Sequence, residues 1–494
     1  MDMKVKKQII SFCALVVFFM IVSVGLCFYI AQTQNFKRET FRKSQEVKTF
    51  SDWTEEELFQ NIPALIAEAT RIGTVVDTGA GTRTIDINGT SLENYQDYIA
   101  LLEQEGFELL VDNGEEGLDG VIYTSNLKKG ELSLAVTHLV KTDKTYVIAG
   151  ENQNLSKYLT YDEESVKNIP EGAKTTLHMP ELYNFGNSFI FKLKNGHFIL
   201  NDGGTQDDLI YLIEYLESLV SEGEKPIIDA WIISHAHVDH MGVFTELLDH
   251  LEWAERFTVE EVIYSEPNRQ VFQEYSVTTA PFVNSAISAM RNSEGKKPNL
   301  VRPVMGQKYY FCDIVMEVVL SQDFLLLKNY QQNFNDSSTW LMYHIDGQKA
   351  LLGGDGDYAG MKTIMNNYNS EYFTLDFFQN LHHSYNVYDY WTDFCPKMTT
   401  VFVPIYDPVG YWVPTVAGGT RATSEEFVNA NKKIIERAED AYTGEGGTLV
   451  MTFPYVPGTA ERLEPCKWEH HGGIKEDSDI VKNWKKYQES LKEK

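Results

Sequence analysis

Close behind a short charged tail, the chain carries a run without a single charge. From Ile9 to Ala31, 23 residues rich in Val, Ile, Leu and Phe follow Lys4, Lys6 and Lys7, a length that suits one membrane-spanning helix. Tyr29-Ile30-Ala31 puts a bulky side chain where signal-peptide cleavage requires a small one, and Leu26 precedes Cys27 where a lipoprotein signal needs Gly or Ala. The reading is therefore a tail over residues 1–8 and an uncleaved anchor over 9–31. Basic residues lie on both flanks, so their count does not orient the helix. A short tail before one long domain predicts that the large domain faces outside the cytoplasm.

Residues 32–51 are polar and mixed in charge, as a linker would be. From residue 52 to 172 the pattern predicts a small α+β domain. Thr54 and Glu57 form a capping box ahead of helical sequence to Ile72, broken at Pro63. Alternation at Thr84-Ile85-Asp86-Ile87 predicts a strand, Asn88-Gly89 a hairpin turn, and Tyr95, Tyr98, Ile99 and Leu102 one face of a helix over Leu92 to Glu105. Strand-like runs follow at Phe107–Val111, Gly120–Thr124, Leu132–Val140 and Thr145–Ala149. Asn88-Gly89-Thr90 also matches a glycosylation acceptor, but a hairpin turn explains it better.

Residues 173–460 read as a larger α/β domain. Phe189–Leu193 and His197–Leu200 flank Asn195-Gly196 as a hairpin; Asp202-Gly203-Gly204 ends the second strand before a helix over Asp207–Val220. Ile227–Ile233 is a short buried strand. Residues 461–494 form a polar tail with an amphipathic terminal helix around Ile480, Trp484, Tyr487 and Leu491.

Charge narrows the partners. The chain carries 43 basic and 71 acidic residues, a net −28, which repels phosphate backbones and disfavours extended nucleic-acid binding. A small molecule or a cell-envelope component is the expected substrate class. Five cysteines without a C-x-x-C pair give neither a disulfide framework nor a thiolate zinc site.

The chemistry concentrates after the strand Ile227–Ile233, in Ser234-His235-Ala236-His237-Val238-Asp239-His240. Four ligand-type side chains within six residues, on a loop anchored by a rigid strand, can converge on two neighbouring points. Imidazole with carboxylate is a ligand mixture for zinc, iron or manganese. Burying this much polarity behind an apolar strand is costly unless a metal holds it.

H-x-H-x-D-H after a strand, with D-G-G upstream, resembles the metallo-β-lactamase superfamily. The resemblance implies a four-layer αββα sandwich with one or two ions at the edge between its sheets. Gly353-Gly354-Asp355, after the hairpin Trp340–His344 and Lys349–Leu352, resembles the segment whose carboxylate bridges the metals. His382-His383-Ser384 and Pro396-Lys397 look like the branch that contains competence-channel nuclease-like domains and choline-phosphate esterases, with Ser384 where that branch has Gly. Carried over to this chain, the resemblance implies His235, His237 and Asp355 at a first metal, and Asp239, His240, Asp355 and His383 at a second. His382 and Asp239 become the catalytic candidates.

One histidine of the superfamily pattern has no counterpart here. His250, in a helical run, and His344, in a strand, are poorly placed for the first metal. Asn335 or Asp336, in the segment Asn333–Ser338, are the candidates for a weak ligand or, with Ser384, a substrate contact. His470-His471 lies too far along the chain. The expected function is a membrane-anchored hydrolase of phosphate esters or another ester-type bond, with two divalent ions, zinc before manganese or iron, and a hydroxide bridging them. The alternatives are an extracellular nuclease and a membrane-tethered binding protein with a degraded metal site. The tyrosine- and tryptophan-containing loop Tyr406–Trp412 suits a ring or a cationic group, or a core position. The oligomeric state is not legible.

Overall fold

The structure, a computed structural model, describes residues 53, 57–65, 71–77, 82–113, 116–167, 169–182, 186–266, 280–326, 334–384, 389–403, 433–434, 436–444 and 447–464. Among the described residues no helix is long and apolar enough to cross a membrane. The anchor expected at Ile9–Ala31 lies outside them, as do Tyr406–Trp412, His470-His471 and the terminal helix.

Two sheets face one another. One has eight strands in the order Asn299–Val301, Thr258–Tyr264, Ile227–Ile233, Phe198–Asn201, Phe189–Lys192, Thr176–Met179, Leu449–Thr452 and Glu461–Arg462. The other has seven, ordered Lys308–Phe311, Ile314–Leu320, Trp340–Ile345, Gln348–Leu352, Thr374–Gln379, Lys397–Val403 and Asp440–Thr443. Their inner faces share one core, in which Phe191 meets Tyr343 at 4.4 Å between ring centroids and Phe189 meets Phe402 edge-on at 5.6 Å. Burying each such ring removes a large apolar surface from water and stabilises the sandwich by about 1.5–3 kcal/mol.

The outer faces are covered too. Helices Leu209–Ser218, Val238–Asp249 and Ala280–Ala289 share a core with the eight-stranded sheet around Trp231. Helices Tyr358–Asn367 and Asp389–Phe394 cover the seven-stranded sheet around Trp340 and Trp391. The result is helix, sheet, sheet, helix.

Parallel pairing sets where the loops gather. Ile227–Ile233 runs parallel to Phe198–Asn201 and to Thr258–Tyr264. In the second sheet Gln348–Leu352, Thr374–Gln379 and Lys397–Val403 are mutually parallel. The carboxyl ends of such strands are where open α/β sheets place their ligands. Asp202, His235, Asp355 and His382 all follow strands at those ends.

A third sheet of six antiparallel strands precedes the sandwich, ordered Arg71–Asp77, Thr82–Asn88, Lys144–Glu151, Leu132–Leu139, Ile122–Lys129 and Glu108–Asp112. One face packs on the helix Leu92–Gln104, whose buried side chains are Tyr95, Tyr98, Ile99 and Leu102. Ser91 caps that helix: its Oγ accepts from the N of Asn94, and Asn94 Oδ1 accepts from the N of Ser91, both at 3.1 Å.

The other face carries Thr84, Thr124, Asn126 and Thr137, and it docks on the sandwich through polar contacts. Thr124 Oγ1 donates to the carbonyl of Met305 at 2.8 Å, Asn113 Nδ2 to that of Gly306 at 2.9 Å, and Gln307 Nε2 to Asn126 Oδ1 at 3.2 Å. Ile122, Tyr146 and Ile148 join the same apolar cluster as Trp340 and Trp391.

Three local expectations are corrected. The helix expected from Thr54 to Ile72 is absent among the described residues, where Glu57–Phe59 forms a single 3-10 turn and Arg71–Asp77 a strand. Trp53, Phe59, Ile62 and Leu65 are all buried at a spacing that does not follow one helix face, and Trp53 Nε1 donates to the carbonyl of Ile62 at 2.9 Å. Asn88-Gly89 is not a hairpin turn. It leads from a strand into the helix, with the N–H groups of Gly89 and Thr90 both bonded to the carbonyl of Asp143. Finally, Asp239 and His240 are not in a loop but in the first turn of the helix Val238–Asp249.

Candidate metal centre

Three strands, the start of one helix and two turns supply the site. Ile227–Ile233 delivers Ser234 and His235 straight from the core, and the helix that starts at Val238 presents Asp239 and His240 one residue apart. From the second sheet, Gly353-Gly354-Asp355 follows Gln348–Leu352, and the turn His382–Ser384 follows Thr374–Gln379. Both His382 and His383 have positive φ, 49° and 47°, a left-handed conformation uncommon for residues other than glycine and one that clusters at functional sites.

These side chains form two groups that could each hold a metal ion. Asp239, His240, Asp355 and His383 make one, and His235, His237 and Asp355 the other, with the ligand atoms of each group within 4.8 Å of one another. Asp355 belongs to both, and its two oxygens face different ways. Oδ1 lies 3.1 Å from His240 Nε2 and 3.7 Å from His383 Nε2; Oδ2 lies 3.8 Å from His235 Nε2 and 3.6 Å from His382 Nε2. His235 Nε2 and His237 Nδ1 are 3.0 Å apart, as are His383 Nε2 and Asp239 Oδ2.

The residues fit a metal by their own chemistry. His240 Nε2 and Asp355 Oδ1 are both buried and face each other at 3.1 Å with no other hydrogen-bond partner, a polar pair in a dry site that a cation between its donors would complete. The other nitrogen of His240 is well satisfied: Nδ1 is 2.8 Å from Asp202 Oδ2. Asp202 also accepts from the N of Ser234 at 2.7 Å and from its Oγ at 2.8 Å. A carboxylate on one ring nitrogen fixes the tautomer and turns the other toward a metal.

Electrostatics follow from burial and from these neighbours. Burial drives His235 well below the usual histidine range, helped by His240 and His237, so its ring is neutral and able to ligate. Burial acts the same way on His240, but Asp355, Asp202 and Asp239 outweigh it and hold that ring well above the usual range. Asp355 and Asp239 lie below the usual carboxylate range despite their burial, chiefly through His240. Burial lowers His382, against the pull of Asp355.

The remaining candidates divide. Asn335 and Asp336 lie buried in the 3-10 turn Phe334–Ser337, and Asn335 Nδ2 is 3.1 Å from His382 Nε2. Ser384 ends the turn that carries the two histidines. His250 caps the far end of its helix and pairs with Glu246 at 3.1 Å, and His344 bonds to Glu317 at 2.6 Å; neither joins the centre. Beyond the expected ligands, Asp202, Ser234 and Gln379 also shape the centre. Asp202 carried a signal, because an aspartate at the carboxyl end of the strand next to the histidine strand can reach its ligands.

Comparison with known proteins agrees with this geometry. A search of curated proteins gives no match. Among solved structures, the chain is similar to a Cronobacter sakazakii metallo-beta-lactamase with a HARLDQ motif, at 14% identity over 42% of this chain and 78% of that one, TM-score 0.26. It is also similar to the metallo-beta-lactamase fold protein YhfI from Bacillus subtilis, at 9% identity over 54% and 95%, TM-score 0.28. A protein of unknown function from Enterococcus faecalis V583 matches at 12% identity over 54% and 64%, TM-score 0.23. These likenesses are distant and carry no argument about activity. Residues 183–290, which hold the H-x-H-x-D-H segment and the Asp202 that orients it, match the family model of the metallo-beta-lactamase superfamily.

Proposed function

We propose that this protein is a metal-dependent hydrolase of phosphate esters or another ester-type bond, acting on a small-molecule or cell-envelope substrate from a membrane anchor at Ile9–Ala31. The observation that carries the reading is Asp355, one carboxylate shared by two ligand groups with an oxygen turned to each. Two divalent ions, zinc by the His and Asp donor set and manganese or iron as substitutes, would be held by His235, His237 and Asp355 and by Asp239, His240, Asp355 and His383. Such ions bring the pKa of coordinated water close to 7 and stabilise negative charge that develops on the attacked group.

The chain's own residues do the rest. Asp202 and Ser234 orient His240 before any substrate arrives, so its geometry costs nothing during the reaction. His382 faces the leaving group as a hydrogen-bond or proton donor. Its Nε2 accepts from Asn335 Nδ2 in the tautomer that leaves the ring hydrogen on Nδ1, and burial, which lowers its pKa against the pull of Asp355, favours that neutral ring. Asp239, ionised and bonded to His383, holds the second ligand group together across the two sheets. The large domain is placed outside the cytoplasm, a reading supported by the short tail before the apolar run.

The test is a substrate screen of the full chain in detergent against phosphomonoesters, phosphodiesters, thioesters and lactams, with and without chelator. Chelator-sensitive hydrolysis of a phosphoester supports the reading. Hydrolysis that persists after complete metal removal, or activity on lactams alone, contradicts it. Membrane fractionation with Met1–Ala31 retained tests the anchor separately.

A further inference from the structure

One buried amide ties the metal-ligating turns together. Gln379 has no solvent exposure, and all its hydrogen bonds go to a single turn. Its Oε1 accepts from the N of Gly353 and the N of Gly354, each at 3.0 Å, and its Nε2 donates to the carbonyl of Gly354 at 3.0 Å. That turn delivers Asp355. The same Gly354 carbonyl accepts from the N of His382 at 3.1 Å, so the turns bearing Asp355 and the two histidines share one acceptor.

The opposite side of the turn is closed by the histidine strand. Gly354 has φ 55°, and a Cβ there would lie 2.7 Å from both Cβ and Oγ of Ser234, the residue before His235. The turn is thus wedged between Ser234 on one sheet and Gln379 on the other. Ser338 adds one bond, its Oγ accepting from the N of Asp355 at 3.2 Å. These contacts fix the backbone from which the Asp355 side chain projects.

We propose that Gln379 is the positioning residue that sets the bridge, fixing the turn so that Asp355 offers one oxygen to each ligand group. The inference rests on the two-metal reading of the centre. Removing the amide leaves the N–H groups of Gly353 and Gly354 buried without partners and takes from the Gly354 carbonyl one of its two donors, so the turn must shift, and both ion positions move together because they share Asp355. Outer partners of metal ligands typically account for 10- to 100-fold in metal affinity.

The experiment compares the full chain with Gln379→Leu, Gln379→Glu and Gln307→Leu by Co(II) titration, absorption spectroscopy and near-UV circular dichroism. Gln307 is a matched control: a buried amide with three hydrogen bonds of its own, to Val304, Tyr309 and Asn126, away from the ligand turns. The expected result is that Gln379→Leu keeps its near-UV signature but binds both equivalents about 10- to 100-fold more weakly, with an altered Co(II) spectrum. Gln379→Glu, which retains the acceptors but sets a carboxylate against the Gly354 carbonyl, falls between. Gln307→Leu lowers the melting temperature and leaves metal affinity unchanged.

Wild-type affinity and spectrum in Gln379→Leu would overturn the proposal, as would an equal loss of affinity in Gln307→Leu. Should Gln379→Leu not fold, Gln379→Glu decides: wild-type binding in that variant overturns the proposal, and weakened binding with an altered spectrum sustains it. A wild-type chain that takes up no Co(II) instead overturns the two-metal reading itself, and the role of Gln379 with it.

Discussion

The side-chain amide of Asn335 places Nδ2 3.1 Å from Nε2 of His382 while its Oδ1 stays buried with no hydrogen-bond partner. The His235, His237 and Asp355 group is one ligand poorer than its neighbour, and Asn335 approaches it through His382, whose Nε2 lies 3.6 Å from Asp355 Oδ2. An amide oxygen is a weaker zinc donor than imidazole or carboxylate. Stepwise chelation should therefore remove one equivalent before the other, with activity falling as the first leaves. Asn335→Asp should bring the two steps closer together by strengthening the weaker site, and Asn335→Ala should separate them further. Chelator titration followed by elemental analysis checks this. Loss of both equivalents in one step from the wild-type chain would show that the first group is completed from elsewhere.

Substitutions at the centre should separate metal binding from proton transfer. Asp355→Asn and His240→Ala should abolish hydrolysis and metal uptake with the fold retained, and His383→Ala should lose metal from the Asp239 group. His382→Ala should keep most of its metal while turnover drops by about 10²–10⁴-fold, the usual contribution of a positioned acid or base. If His382→Ala loses metal and His383→Ala does not, the two histidines exchange roles.

What the sequence discloses about this protein follows physical range. The H-x-H-x-D-H residues, Asp355 and the two adjacent histidines are legible because their side chains are fixed by strands whose hydrophobic runs, Ile227–Ile233 and Thr374–Gln379, are visible in one dimension. The small helix is legible for the same reason, with Tyr95, Tyr98, Ile99 and Leu102 at helical spacing and all buried. Gln379 and Asp202 act through contacts across long sequence separations, Asp202 reaching residues more than 30 positions away; Asp202 is marked only by its place at the end of the strand beside the histidine strand, and Gln379 by no local pattern. Among the described residues, the 3-10 turn at Glu57–Phe59 where a helix is expected has a tertiary cause: Trp53, Phe59, Ile62 and Leu65 serve the core of the six-stranded sheet.

Docking of the six-stranded sheet on the sandwich depends on the absence of a side chain at one position. Gly306 has φ 98°, and a Cβ there would fall 2.0 Å from Thr124 Oγ1. Gly306→Ala should destabilise the chain by roughly 1–3 kcal/mol, the range for overpacked sites, read as a lower urea midpoint. Adding Thr124→Ser does not remove the Oγ, so it should give no relief, whereas Thr124→Ala should recover part of the loss. Wild-type stability in Gly306→Ala would mean that the two sheets separate more readily than the structure implies.

Acid should weaken the fold through His178. Its ring is buried, with Nδ1 2.7 Å from the Tyr215 hydroxyl and Nε2 2.7 Å from Thr176 Oγ1, and burial pushes its pKa down to about 4. The unfolded chain, with an ordinary histidine, takes up a proton that the folded chain refuses between the two values. Stability from this group is therefore complete above about pH 6.5 and falls as pH drops toward 4, by on the order of 2–3 kcal/mol. Metal-free protein unfolded in urea at pH 7 and pH 5 should show the loss, and His178→Gln should show less of it. An equal loss in the variant would assign the acid sensitivity to other groups.

The central claim is that Asp355 joins two metal sites, and metal stoichiometry tests it most directly. Metal-freed full chain dialysed against zinc or manganese, with Asp355→Asn dialysed beside it, should retain about two equivalents in the wild type, one for each ligand group, and neither tightly in the variant. Retention of no metal by the wild type, or of the same metal by Asp355→Asn, would contradict it.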